Sequence, residues 1–213
     1  VYGSTLMFDL PASSRVDRII PKIKFYERTQ ISTAIRDEFT GLIGRITWLH
    51  KLSSDTMNTP ANERVQELQV FLIELKAKDI PTKALGIIDK AIPYPILHVL
   101  KHEEDTCYVI QHKLDSRRRY YKTEWNQLPT LSFTGTNLEA VYQRIVTSFI
   151  ALDEDEVSGK SFEEIITANT QRKKKKKDIR ALENKIRSER QFSKKVLLNT
   201  ELQHKRRQLE DLS

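Results

Sequence analysis

The residues best suited to chemistry are Glu74 and Lys76, in the run Glu74-Leu75-Lys76 that ends an apolar stretch. On a strand, residues i and i+2 share a face, so this carboxylate and ammonium point the same way. The acid would bind a divalent metal, and the lysine would position or activate water. Mg²⁺ wants carboxylate oxygens and waters in octahedral geometry, so an earlier acid has to complete the site. Asp55 lies in the loop before the strand, and Glu38 lies on an earlier helix. The plainer alternative is strong. E-x-K is a common tripeptide where charged residues leave a strand end, and Asp55 follows a serine instead of a proline.

A second chemistry is phosphate contact. Arg117, Arg118, Arg119, Tyr121 and Lys122 interleave cations with an aromatic in an expected hairpin, the mixture that backbone contact and base stacking use. An exposed turn leading to a charge-protected edge strand is the favoured reading of them. The run Arg172, Lys173, Lys174, Lys175, Lys176, Lys177 is a phosphate-binding strip, a targeting-like patch or a solvated helix face.

Other chemistries lack their residues. His98 and His102 are four apart, but on a strand running into a turn, and neither they nor His50, His112 and His204 have paired ligand spacing. There is no phosphate-binding glycine loop and no G-x-S-x-G elbow. The expectation is therefore no cofactor and no metal, with Mg²⁺ only under the nuclease reading. Cys107 is the single cysteine and sits mid-strand, where a buried structural thiol is expected.

These residues need elements to position them. Leu10-Pro11-Ala12-Ser13-Ser14 reads as a turn and cap, followed by a short helix Arg15 to Ile20 that stops before Pro21. Ser32 caps a longer helix with Ile31, Ile35, Phe39, Leu42, Ile43 and Ile46 on one face. Arg45 to Leu52 is a strand. Leu68 to Lys76 is a central strand, apolar on both faces until Glu74. A helix Thr82 to Ala91 and a strand Ile96 to Leu100 complete a strand–helix–strand unit, which implies a parallel pair. Strands Thr106 to His112 and Arg119 to Trp125 pair antiparallel around Asp115-Ser116, and a helix Leu138 to Ile150 closes the domain. The fold class is α+β, a mixed central sheet flanked by helices. Its element order also suits nucleases of the PD-(D/E)xK type, in which an acid–lysine pair ends a central strand.

The chain has 213 residues and a formal charge of +7. Residues 171–213 hold 15 Lys/Arg against 6 Asp/Glu, a net +9, so residues 1–170 carry −2. Three parts are expected: a globular domain over 1–152, an acidic linker and short helix over 153–170, and a basic helical arm over 171–213. The acidic loop is Asp153-Glu154-Asp155-Glu156. Between Asp178 and Leu212 there is neither Gly nor Pro. Ile179, Leu182 and Ile186 follow one heptad register, and Leu198, Leu202, Leu209 and Leu212 follow another, with Phe192 and Val196 bridging the shift. A bent helix, a helical hairpin and an arm docked on a partner all fit. Apolar residues at helical spacing need a covering surface, so Ile179, Leu182, Ile186, Phe192, Val196, Leu198, Leu202 and Leu209 are candidates for protein contact, coiled-coil pairing or self-association. No run approaches the ~18 apolar residues of a membrane span. With no secretory signal and one cysteine, a cytoplasmic setting is expected.

Glu67 to Lys76 and Ile88-Asp89-Lys90-Ala91-Ile92-Pro93-Tyr94-Pro95-Ile96-Leu97 carry a family resemblance. Lys22, Phe25, Trp48, Lys51-Leu52, Thr56, Asn58, Tyr121, Glu124-Trp125, Leu128-Pro129 and Arg187 to Leu202 extend it over nearly the whole chain. The sequence resembles an uncharacterised bacterial domain-of-unknown-function family, whose members tend to be encoded beside helicases and type III-like DNA methyltransferases in restriction or anti-phage islands. The resemblance implies a DNA-related complex with a helicase or methyltransferase partner and assigns no catalytic residue. The leading expectation is a non-catalytic subunit of a prokaryotic DNA-defence assembly that touches DNA through basic segments. The alternatives are a metal-dependent nuclease using Glu74, Lys76 and Asp55, and a structural homodimer joined by the arm.

Overall fold

The computed structural model describes residues 8–27, 30–115, 117–150 and 157–210. The expected acidic loop Asp153–Glu156, the turn residue Ser116 and the terminal Leu212 lie outside them. The chain divides into two compact units, residues 1–149 and 150–213.

The first unit is built on a 6-stranded sheet whose strands β1 (Arg15–Ile19), β2 (Ile43–Ser53), β3 (Glu67–Leu75), β4 (Ile96–His102), β5 (Asp105–Gln111) and β6 (Tyr120–Lys122) lie side by side in chain order. Neighbours are antiparallel except β3 and β4. That parallel pair needs a crossover, and α3 (Thr82–Ala91) supplies it. β3 is central and buried along almost its whole length. Its alternate residues Phe71, Ile73 and Leu75 meet Ala84, Leu85 and Ile88 of α3, together with Phe25 and Phe39. The pleat turns Leu68, Val70 and Leu72 to the other face, where α4 (Leu138–Ser148) lies against β3. The sheet is thus the middle layer, which is why its core strand is apolar on both sides.

Two local expectations fail for physical reasons. The expected short helix Arg15 to Ile20 is instead the strand Arg15–Ile19. Five or six residues cannot sustain a helix alone, Pro21 holds Ile20 extended, and the edge of β2 offers backbone partners, with Ile20 N donating to Ile46 O at 2.9 Å. The helix after Ser32 also ends early. Ser32 does cap α1 (Thr33–Asp37), which continues as a π-helical turn, Glu38–Leu42. Ile43 and Ile46 then belong to β2, where a bulge at Gly44 puts these residues, three apart, in one core cluster. A Cβ at Gly44 would sit 3.1 Å from Glu74 O, so a side chain there would crowd the β3 backbone.

In the second unit, α5 (Phe162–Ser188) starts at a capping box between Ser161 and Glu164 and runs unbroken through residue 171. It turns at Glu189–Gln191 into α6 (Phe192–Glu210). The register shift in the sequence is this turn. Ile179, Leu182 and Leu202 are buried together in the seam, with Ile186, Leu198 and Leu209 packed beside them. Of the three arrangements that fit the sequence, the arm adopts the helical hairpin. No helix among the described residues is long and apolar enough to cross a membrane.

Candidate functional site

Glu74 and Lys76 emerge together at the end of β3, but each is engaged. Glu74 is clasped by the Arg45 guanidinium, Nε to one oxygen and a terminal nitrogen to the other at 2.8 Å. Lys76 Nζ donates to Thr40 O at 2.7 Å, and Lys22 Nζ donates to Ile43 O at 2.7 Å. These lysines satisfy carbonyls left over where the π-helical turn passes into β2. Burial, and then the neighbouring Lys76, lower the Lys22 ammonium from its usual range. Asp55 is elsewhere. It sits on α2 (Ser54–Met57), just past Ser53, and Ser53 pairs with Glu67 at the start of β3. Glu74 is seven residues further along β3, about 23 Å at ~3.3 Å per residue. Oxygen ligands lie about 2.0–2.6 Å from Mg²⁺ or Ca²⁺, so Asp55 and Glu74 cannot share one ion. Glu38 is spent as well: its Oε2 accepts from Lys83 N at 2.8 Å and Ala84 N at 2.9 Å, capping α3 from a distant element. The acid–lysine pair is therefore a strand-end salt bridge and carbonyl tie. Among the described residues no three His, Cys, Asp or Glu are grouped to hold a metal.

The Arg117–Lys122 segment separates its cations from its rings. Asp115 accepts from Arg117 N at 3.1 Å and from Arg119 Nε at 2.8 Å, bracing the turn. Arg117, Arg118 and Lys122 are exposed. Tyr121 is buried, 4% exposed, so its ring cannot stack on a base. Of the mixture that suggested stacking, Arg117, Arg118 and Lys122 reach the surface and Tyr121 does not.

Sequence reasoning missed a buried polar network. Asp89 of α3 is 2% exposed and His98 of β4 is 0% exposed. Asp89 accepts from the Tyr120 hydroxyl, and His98 Nε2 lies 3.2 Å from both carboxylate oxygens. Lys113 Nζ donates nearby to Ile92 O and, at 2.8 Å, to Tyr94 O. A buried carboxylate is tolerated only with donors around it, and here they tie α3, β4 and β6 together. Burial pushes the Tyr120 phenol well above its ordinary value and the Lys113 ammonium down to about 8. The available signal was Asp89 beside the inward Ile88 on an amphipathic helix.

The hairpin arranges charge by face. Asp178 pairs with Lys205 at 3.7 Å and Glu183 with Arg206 at 2.8 Å, both across the seam. Lys175 Nζ donates to Gln208 O at 3.0 Å, and Arg172 is half-buried. Lys173, Lys174, Lys176 and Lys177 are exposed, as are Arg180 and Arg187. At 100° per residue, Lys176, Lys177, Arg180 and Arg187 follow i, i+3/i+4 and i+7 spacings along one outward side of α5. Glu183 falls among these cations, seven residues after Lys176, and is paired with Arg206; Asp178 is paired with Lys205. From Lys176 to Arg187 the ridge covers about 16 Å, roughly five phosphates of one DNA strand at ~3.4 Å each. Of the residues expected to contact protein, Ile179, Leu182 and Leu202 are consumed by the seam, whereas Phe192 and Val196 are exposed.

A protein-family model described as Domain of unknown function (DUF4391) matches residues 8–209. No curated protein and no solved structure matches the chain.

Proposed function

We propose that this chain, which belongs to the DUF4391 family, is a non-catalytic, DNA-contacting subunit of a larger prokaryotic DNA-defence assembly. Its hairpin lays the α5 ridge along a phosphate backbone and docks on a partner of the helicase or DNA-methyltransferase class. The observation that carries this reading is the run of exposed cations along α5. The acids of this stretch, Asp178 and Glu183, are paired with Lys205 and Arg206, which leaves Lys176, Lys177, Arg180 and Arg187 in excess. Helix cations so arranged attract a polyanion without reading its sequence. The contact would be with the backbone of a duplex, since the ridge offers no aromatic for stacking. Arg117, Arg118 and Lys122 give the sheet unit a second, smaller set of exposed cations.

The partner class follows from the genomic neighbourhood that the family resemblance implies, and the tied-up Glu74 and Lys76 favour a subunit over an enzyme. The test is fluorescence anisotropy of the full-length protein with a labelled 30-base-pair duplex at about 100 mM NaCl. Replacing Lys176, Lys177 and Arg180 by Gln together should weaken binding at least about tenfold. Unchanged affinity overturns the ridge assignment.

A further inference from the structure

Lys22 and Lys76 come from distant parts of the chain and end on one turn. Lys22 Nζ donates to Ile43 O and Lys76 Nζ to Thr40 O, each at 2.7 Å. These carbonyls belong to residues three apart, so the two ammonium groups are fixed as neighbours. Lys76 pushes the Lys22 ammonium down, second only to burial, and no carboxylate offsets the effect. The local acids are engaged elsewhere. Both oxygens of Glu74 are held by Arg45, and Glu38 accepts from the α3 backbone. Among the described residues neither lysine forms a salt bridge. Lys22, Arg45 and Lys76 against Glu74 therefore leave two positive charges unanswered at the end of β3. Each ammonium has three donors and uses one on its carbonyl, so two apiece remain. Gly41, between Thr40 and Ile43, is exposed, and a Cβ there would meet no atom within 4 Å, so the turn is open at this point.

We propose that Lys22 and Lys76 form a binding site for a terminal phosphate dianion, the group shared by free inorganic phosphate and the phosphorylated end of a nucleic-acid strand. Charge selects this ligand. Two like charges held together disfavour each other, and an anion between them reverses the sign. A phosphate bridged on one side only carries about −1.5 to −2 at pH 7 and has three strong acceptor oxygens. It matches two ammonium groups with four free donors. An internal phosphodiester carries a single negative charge and leaves one lysine unanswered. A carboxylate does the same and has only two oxygens. Lysine meets phosphate as a point charge, so the site needs no planar fork. No bond is made or broken here, and no metal is required. The site belongs to the first unit and does not depend on the α5 ridge.

The experiment follows thermal unfolding of the full-length chain in about 20 mM sodium phosphate against sodium chloride of equal ionic strength. Phosphate is excluded from protein surfaces and stabilises most folds, so the readout is the difference between wild type and the variants Lys22→Gln and Lys76→Gln, compared at unchanged circular dichroism. The wild-type midpoint should rise by about 3 °C more than that of either variant. Lys76→Arg, which keeps charge and donors, should retain most of the gain. A second arm measures anisotropy with a 30-base-pair duplex bearing either 5′-phosphate or 5′-hydroxyl ends. A preference of about fivefold for the phosphorylated duplex, absent from both Gln variants, assigns the site to strand ends. Equal affinity for the two duplexes, with the midpoint gain present, assigns it to the free ion. No difference between wild type and the Gln variants in either arm overturns the proposal. The Lys176, Lys177 and Arg180 replacements should leave the midpoint gain unchanged, so the site and the ridge fail separately.

Discussion

At the residue scale, the molecule places its most unusual chemistry where no substrate reaches it. Asp89 holds Tyr120 and His98 inside the sheet unit. Replacing Asp89 by Ala strands both partners, and should cost about 3–5 kcal/mol in urea unfolding. Tyr120→Phe, which removes one donor, should cost about 1 kcal/mol. Lys113 gives a pH signature. Unfolded, it keeps its proton to about 10.5; folded, burial releases it near 8. Between these values the unfolded chain binds more protons, so this group adds stability as pH rises from 8 toward 10.5. Solvent reaches part of the side chain, so the gain is no more than about 1–2 kcal/mol. It should appear as the difference between the pH–stability curves of wild type and Lys113→Met. Cys107 is buried and its thiol is pushed up by that burial, so a maleimide should label it only after unfolding. Of the network, only the inward placement of Asp89 beside Ile88 was legible in the sequence. Tyr120 and Asp89 lie 31 positions apart, and only the folded sheet brings them together.

At the element scale, legibility followed length and pattern. The β3–α3–β4 unit could be read directly, because a strand buried on both faces and an amphipathic helix each leave a strong periodicity. β1 could not, since its five residues carry no period and owe their form to the β2 edge. The distal cap on α3 was equally hidden: Glu38 reaches Ala84 across 46 positions. Glu38→Ala should therefore lower stability by about 1 kcal/mol although no helix residue changes, measurable by denaturant titration. The hairpin was half legible. Its two heptad registers were plain, but three geometries fit the break until Leu182 and Leu202 were seen in one seam. Leu182→Asp with Leu202→Asp should melt the hairpin alone. Helical circular dichroism would fall, while the fluorescence of Trp48 and Trp125, both in residues 1–149, would stay native. Loss of both signals together would contradict an arm with its own core.

At the scale of the whole molecule, the net +7 divides into +3 for residues 1–149 and +4 for residues 150–213, the latter made of −5 over residues 150–170 and +9 over residues 171–213. In the sheet unit Glu74 is held by Arg45 and Lys76 by Thr40 O, and Asp55 and Glu74 lie at opposite ends of β3. Residues 171–213 hold a net +9, and the acids among the α5 cations, Asp178 and Glu183, pair with Lys205 and Arg206. The central claim is that this ridge is the phosphate contact, and counterion release measures it most directly. Log affinity for a duplex against log NaCl concentration, from about 50 to 200 mM, should fall more steeply for wild type than for the chain with Lys176, Lys177 and Arg180 replaced by Gln. Three lost phosphate contacts predict a slope difference of about 2.7. Parallel lines would contradict the account.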